Sequence, residues 1–350
     1  MLKNKLQIYL ITYYRKQKLQ ETLDIILADA SPVKNFDITV LDNASTDGTS
    51  ELLMEYCKIH KNLNHIRHKI NIGGNANICR AFELSASCSK DYAWILCDDD
   101  KYDFSNWVEV ENHINNDVDL ICVSDYVFPS NNEKENKAYQ IFQMTFVPAT
   151  IFKTKNITNS VLINMYDAIL TMFQQSCLTI SIINQKGSIK VLEKPIVYNG
   201  IHFEDKVDNK SLSYTRGTNE NSEILDRRKN TTWVLGFINI LSLLNDCNIK
   251  NECLEVSIPS KGICNSWKSF YKYIHFLHFN KNNYNYLIEI FKNLSSKRQF
   301  GYIKYLFSLF QKKILGLHNT PNREHKIITI LGFKIKLKYN NPTSPDLESP

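Results

Sequence analysis

No stretch of this 350-residue chain approaches the ~20 consecutive apolar residues that a membrane-spanning helix needs. The longest apolar segment, Trp233 to Leu244, is too short and contains Gly236 and Asn239. The N-terminus offers only Ile8 to Ile11 before Thr12 and Arg15, which is not the pattern of a secretory signal. With 11 glycines and 9 prolines, no low-complexity linker dominates and no collagen-like repeat is present. The nine cysteines are an odd number and none stands in a CxxC pair. That argues against a zinc ribbon or a disulfide framework, and for a reducing, cytoplasmic compartment. There is no GxGxxG, no GK[ST] loop, no HExxH and no GxSxG. These absences count against NAD binding, P-loop ATPase chemistry, a zinc protease and a serine hydrolase.

What is present is an ordinary globular composition, 43% hydrophobic and 22% charged, with an uneven charge distribution. Residues 261–340 carry 15 Lys and Arg against only Glu289 and Glu324, a net of +13. Residues 1–260 hold 27 basic and 32 acidic residues, a net of −5. An acidic front and a basic back suggest two jobs, the back facing something anionic.

Leu6 to Thr12 reads as a buried strand, followed by Leu19, Leu23, Ile26 and Leu27 at helical spacing. Asp37 to Leu41 is a second strand, with a turn that feeds a helix near Thr49. Asn64 to Arg67, Tyr92 to Cys97 and Leu120 to Ser124 are further strands, and residues 76–86 a helix. Strand and helix alternating at this spacing predict an α/β fold with a mostly parallel sheet flanked by helices. Ile189 to Tyr198, with Pro195, reads as an edge strand, and residues 326–338 as a small hairpin. His65 and His68 lack a partner cluster and read as surface residues.

Ligands in such sheets bind beyond the C-terminal strand ends, and three polar clusters fall there. Asp98-Asp99-Asp100 follows the strand YAWILC, and adjacent carboxylates there need screening by solvent, as a solvated acidic turn, or by a hard cation, Mg²⁺ or Mn²⁺, the reading that their place at the ligand edge favours. Asp42-Asn43-Ala44-Ser45-Thr46-Asp47-Gly48 places a carboxylate where it can reach a base or ribose, while Ser45 or Asp47 can cap the next helix. Asn71-Ile72-Gly73-Gly74-Asn75-Ala76-Asn77 supplies a turn that lets backbone pass close to a phosphate or a neighbouring strand.

These motifs resemble a bacterial family 2 glycosyltransferase of the GT-A fold, the nucleotide-diphospho-sugar transferase type. ITYYR is similar to the family's first-strand motif, LDNASTDGTS to its second, NIGGNANI to its Asn/Gly element, and DDD stands in place of its D-x-D. Ile11 and Tyr14 depart from the family's Pro and Asn. The resemblance covers residues 6 to about 200. It implies an inverting transfer from a nucleotide-diphosphate sugar to a glycan or lipid-linked acceptor in surface-polysaccharide assembly. Thr12, Tyr13, Arg15, Asp42, Asn43, Asn71, Gly73, Asn77, Asp98 and Asp99 would hold the donor. Asp100, with Asp98, would hold the divalent cation.

The family's acidic pair before Gly187 is replaced by Phe173-Gln174-Gln175-Ser176. Asp167 is the first choice for the acceptor base, with Glu204 and Asp205 as alternatives. A nucleotidyltransferase and a non-catalytic sugar-nucleotide-binding module are the rival readings. Domain boundaries are expected at 1–215 for the GT-A domain, 216–320 for a helical basic and aromatic region, and 321–350 for a hairpin-like segment and tail. In the back region Trp267, Phe270, Tyr271, Ile274 and Leu277 form one stripe, and Phe300, Ile303, Leu306, Phe307 and Phe310 another. With their lysines, these read either as a peripheral surface for anionic membrane or as core helices of a small accessory domain with solvated lysines, and less as a nucleic-acid surface.

Overall fold

The computed structural model describes residues 2–124, 136–200, 236–257, 294–319, 325–330 and 333–338. The chain divides into two compact units, residues 1–265 and 266–350. The 215/216 and 320/321 boundaries both lie outside the described residues, as do Glu204, Asp205 and the Trp267 stripe.

The first unit is built on β1 (Leu6–Thr12), β2 (Asp37–Asp42), β3 (Leu63–Arg67), β4 (Tyr92–Cys97), β6 (Leu120–Cys122), β7 (Thr150–Lys153) and β8 (Ile189–Val191). Their order in the sheet is β3-β2-β1-β4-β7-β6-β8. The first four are mutually parallel, and β7 alone runs against its neighbours. β1 is buried along nearly its whole length, which is why LQIYLIT reads as a continuous apolar run rather than an alternating one. Parallel strands need crossovers, and α1 (Lys16–Ile26), α2 (Thr49–Ile59) and α3 (Gly74–Ser87) provide them. In α1 the buried residues are Leu19, Thr22, Leu23 and Ile26, one face of a helix. The core continues into a cluster of Phe36, Trp94, Tyr102, Phe104 and Trp107 with mostly edge-on ring contacts.

Two expectations change. Ile189 to Tyr198 is not one strand: β8 joins the main sheet, while β9 (Val197–Tyr198) pairs antiparallel with β5 (Lys101–Tyr102). Pro195 lies between them, where its missing N–H breaks no ladder. The tail hairpin, β11 (His325–Ile330) with β12 (Phe333–Lys338), gains a third antiparallel strand, β10 (Leu315–Asn319). β10 follows directly on α9 (Ser296–Ile314) of the second unit. Before it the chain also forms α4 (Trp107–Asn115), α5 (Lys137–Gln143), α6 (Asn159–Asp167), α7 (Ser176–Asn184) and α8 (Cys247–Ser257).

The topology fixes where a ligand can sit. From β1 the chain moves outward one way through β2 and β3, then returns to the other side of β1 with β4. The crevice at such a reversal is the binding position of open α/β sheets. In register, Arg67, Asp42 and Thr12 stand in one row, and Cys97 faces Ile11 beside it.

Candidate active site

The loops after β1 and β4 meet across that crevice. Thr12 Oγ1 donates to Asp98 Oδ2 at 2.6 Å, and Arg15 Nη1 donates to Asp98 Oδ1 at 3.0 Å and to Asp99 Oδ2 at 2.6 Å. Thr22 Oγ1 holds the Asp98 carbonyl at 3.1 Å. Both oxygens of Asp98 are therefore occupied by protein. Burial raises its carboxyl to about 6, although Arg15 pulls the other way.

The loop after β2 has a closed network of its own. Asp42 is fully buried; its Oδ1 accepts from Ser45 N at 2.9 Å and its Oδ2 from Ser50 Oγ at 3.1 Å. Arg67 Nε stands 3.3 Å and His65 Nε2 3.8 Å from Oδ2. Burial alone would raise this carboxyl, but the facing His65 and the Ser45 and Ser50 donors outweigh it and hold it down at about 2. His65 and His68 are thus half-buried with partners rather than unpartnered, His68 Nε2 meeting Asn77 Oδ1 at 2.9 Å. Asp47 accepts from Lys16 N at 3.0 Å and from Thr49 N at 3.2 Å, so one carboxylate serves the starts of both α1 and α2. Ser45 Oγ instead takes Tyr14 N at 2.9 Å, tying the first two loops together. Tyr14 and Ala44 pay for that junction with left-handed backbone, at φ 55° and 64°.

The NIGG turn is pinned to the same edge. Asn43 Nδ2 donates to Asn71 Oδ1 at 2.7 Å, and Asn43 Oδ1 accepts from Ile72 N at 2.9 Å. Asn71 Oδ1 also accepts from Gly73 N at 2.8 Å, and Asn77 Nδ2 reaches the Leu41 carbonyl at 3.2 Å. Gly73 has φ 88°, which the turn into α3 requires. Thr12, Arg15, Asp42, Asn43, Asn71, Gly73, Asn77, Asp98 and Asp99 are therefore brought together in one connected edge. Tyr13 stands there with its ring partly exposed, 6.1 Å from that of Tyr14.

Asp100 is built differently. Its Oδ1 accepts from Gly200 N at 3.2 Å, and its Oδ2 is buried with no hydrogen-bond partner. Burial, then the neighbouring Asp99, pushes its carboxyl well above the usual range. An orphaned buried oxygen next to a second carboxylate is a place that a cation satisfies. Donor atoms of Cys97, Asp99 and Asp100 lie within 4.8 Å of one another. Gly200 is indispensable to this packing, since a Cβ there would stand 1.8 Å from the Asp99 carbonyl oxygen.

Asp167 ends α6, exposed and apart from the Asp98–Asp100 turn in sequence and hydrogen bonding. The segment after it reaches the site edge: Asn75 Nδ2 donates to the Ile169 carbonyl at 2.7 Å, and Gln174 Nε2 approaches Asn75 Oδ1 at 3.4 Å. Gln174, Gln175 and Ser176 are buried, each with one polar atom unpartnered: Oε1, Oε1 and Oγ. Sequence reasoning passed over Arg67, although its place as the last residue of a strand parallel to β2 was the available signal. Gly200 carried no local signal, because its requirement comes from a loop 100 residues away.

The profile of glycosyl transferase family 2 matches residues 7–178. Those residues belong to glycosyl transferase family 2. Abequosyltransferase RfbV of Salmonella typhimurium (strain LT2) is 28% identical over 113 residues, 31% of this chain and 32% of the relative. The chain thus spans about a third of that relative's length. The fold is GT-A. S. aureus TarS 1-349 in complex with UDP-GlcNAc matches with a TM-score of 0.55 at 13% identity, covering 96% of this chain and 100% of that one. The complex of TarS 1-349 with UDP matches at 0.52 and 14%, covering 95% and 98%. A further TarS structure matches at 0.52 and 13%, covering 95% of this chain and 60% of that one.

Proposed function

We propose that the protein moves a sugar, with inversion, from a nucleoside-diphosphate sugar to a hydroxyl of a glycan or lipid-linked acceptor in bacterial surface-polysaccharide assembly. The observation that carries this reading is the meeting of three loops, after β1, β2 and β4, at one sheet reversal. The family match and the names of the relatives, an abequosyltransferase and a protein seen with UDP-GlcNAc, support it. Thr12, Tyr13 and Asn43, with Arg67 behind Asp42, face the nucleoside. Arg15 orders Asp98 and Asp99 on the ribose side, and the NIGG turn lies along the phosphates.

A divalent cation, Mn²⁺ or Mg²⁺, would be held by Asp100 with Asp99 or Asp98, and the orphaned Asp100 Oδ2 fits it. When bound, it supplies positive charge to the leaving diphosphate. Asp167 takes the acceptor proton, since its helix ends beside the segment that bonds Asn75. Incubation with a panel of nucleotide sugars and Mn²⁺ tests the reading. Release of nucleoside diphosphate together with glycosylated acceptor supports it. Release of pyrophosphate indicates a nucleotidyltransferase, and binding without turnover a sugar-nucleotide-binding module. Asp167→Asn is expected to cut transfer by about 10²–10⁴-fold and leave donor affinity unchanged; transfer at the parent rate overturns Asp167 as base.

The second unit adds a peripheral membrane role on the cytoplasmic face. Among the described residues no helix is long and apolar enough to cross a membrane. α9 has no acidic residue in its sequence, and it exposes Phe300 and Ile303 between Lys297 and Lys304, with Phe307 just beyond. Lys304 Nζ sits 4.8 Å over the Phe300 ring. Apolar side chains in a lysine frame suit anionic lipid. Flotation with anionic vesicles at low salt, lost at high salt, is the expected result; no flotation at either removes this role.

A further inference from the structure

The donor set around Asp100 is not all oxygen. Cys97, the last residue of β4, lies with its Sγ in the same 4.8 Å cluster as the carboxylates of Asp99 and Asp100. Its backbone is fixed, because Tyr102 Oη donates to the Cys97 carbonyl at 2.7 Å. The thiol is therefore presented by the end of a core strand, beside the one carboxylate oxygen of the turn that is buried without a partner. Arg15, the nearby cation, is committed to Asp98 and Asp99. At tetrahedral angles a sulfur about 2.3 Å and an oxygen about 2.1 Å from one ion stand about 3.6 Å apart, so these side chains, already within 4.8 Å, draw together when an ion binds.

We infer that Cys97 is a third protein ligand, which makes this a mixed sulfur–oxygen site that favours a borderline ion such as Co²⁺ or Zn²⁺ over Mg²⁺. Carboxylates and water suit Mg²⁺ well, whereas a thiolate selects softer ions. On binding, the Cys97 S–H bond breaks, the proton passes to solvent, and the sulfur electron pair forms the bond to the ion. The inference rests on the proposed cation role of Asp99 and Asp100, and its test uses metal alone, with no sugar nucleotide.

Chelator-treated full-length protein is titrated with Co²⁺ and followed by absorbance and calorimetry. The parent protein is expected to bind one Co²⁺ with a near-ultraviolet thiolate-to-cobalt band, and to prefer Co²⁺ over Mg²⁺ by about tenfold or more. Cys97→Ser should lose the band and most of that preference while still binding the ion through its carboxylates. Cys247→Ser, at an exposed cysteine of α8, should keep both. Co²⁺ bound by the parent without a band, or a band that survives Cys97→Ser, overturns Cys97 as ligand and leaves the transferase reading standing. Absence of any Co²⁺ binding overturns the ligand and the cation role together. Sugar transfer, measured separately, is decided by the nucleotide-sugar panel and not by this titration.

Discussion

Asp42, the last residue of β2, and Asp100, in the turn after β4, lie at one edge of the sheet; both are buried, and they are held in opposite ways. Asp42 has donors on both oxygens and the Arg67 guanidinium facing it, and its carboxyl is held down at about 2. Asp100 has one donor, one orphaned oxygen and a carboxylate for a neighbour, and its carboxyl is pushed up. The first network is complete within the protein. The second leaves Asp100 Oδ2 without a partner inside the protein. A buried acid can thus be architecture or an open socket, and the partner count of its oxygens separates the two.

Substitutions should reproduce that split. Asp100→Asn removes the charge that meets the cation and is expected to lower metal-dependent transfer by about 10²–10³-fold, with the denaturation midpoint of the metal-free protein unchanged or raised. Steady-state transfer and urea denaturation check the pair of outcomes. Asp42→Ala should do the reverse in emphasis, costing about 3 kcal/mol of stability because Arg67 loses its buried counter-charge and Ser45 N and Ser50 Oγ lose their acceptor. A midpoint equal to the parent's would place Asp42 among ligand-binding groups alone. Gly200→Ala should cost about 1–3 kcal/mol, since the new methyl meets backbone that cannot yield, and should weaken cation binding along with it. Smaller still is a pH effect. Asp42 is depressed in the fold, so its contribution is present above about pH 4 and lost as pH falls toward 2. Solvent at Arg67, which is 43% exposed, limits it to at most about 2 kcal/mol. The stability gap between the parent and Asp42→Asn should therefore narrow between about pH 5 and pH 2.5, and a constant gap contradicts the assignment.

The parallel strands were legible because burial on both faces leaves uninterrupted apolar runs, as in LQIYLIT and YAWILC. The polar clusters at their ends were legible because parallel topology puts those ends on one edge. The short strand Thr150–Lys153 was not, since four residues carry too little pattern and its place between β4 and β6 is set by tertiary pairing. The side-chain assignments inside the DDD turn were also hidden. Three identical carboxylates read alike, and only Thr12, Arg15 and Gly200, distant in sequence, give each its separate surroundings. His65 misled for the same reason: its partner Asp42 lies on the neighbouring strand.

The central claim, that the Asp100 site is finished by a cation and the Asp42 site is not, is tested most directly by calorimetry of nucleoside diphosphate binding. UDP, GDP and CDP are titrated with and without Mn²⁺ into the parent, Asp100→Asn and Asp42→Asn proteins. Mn²⁺ should tighten the preferred nucleotide about tenfold or more in the parent and in Asp42→Asn, and leave Asp100→Asn unchanged. An undiminished Mn²⁺ effect in Asp100→Asn, or none in the parent, would contradict it.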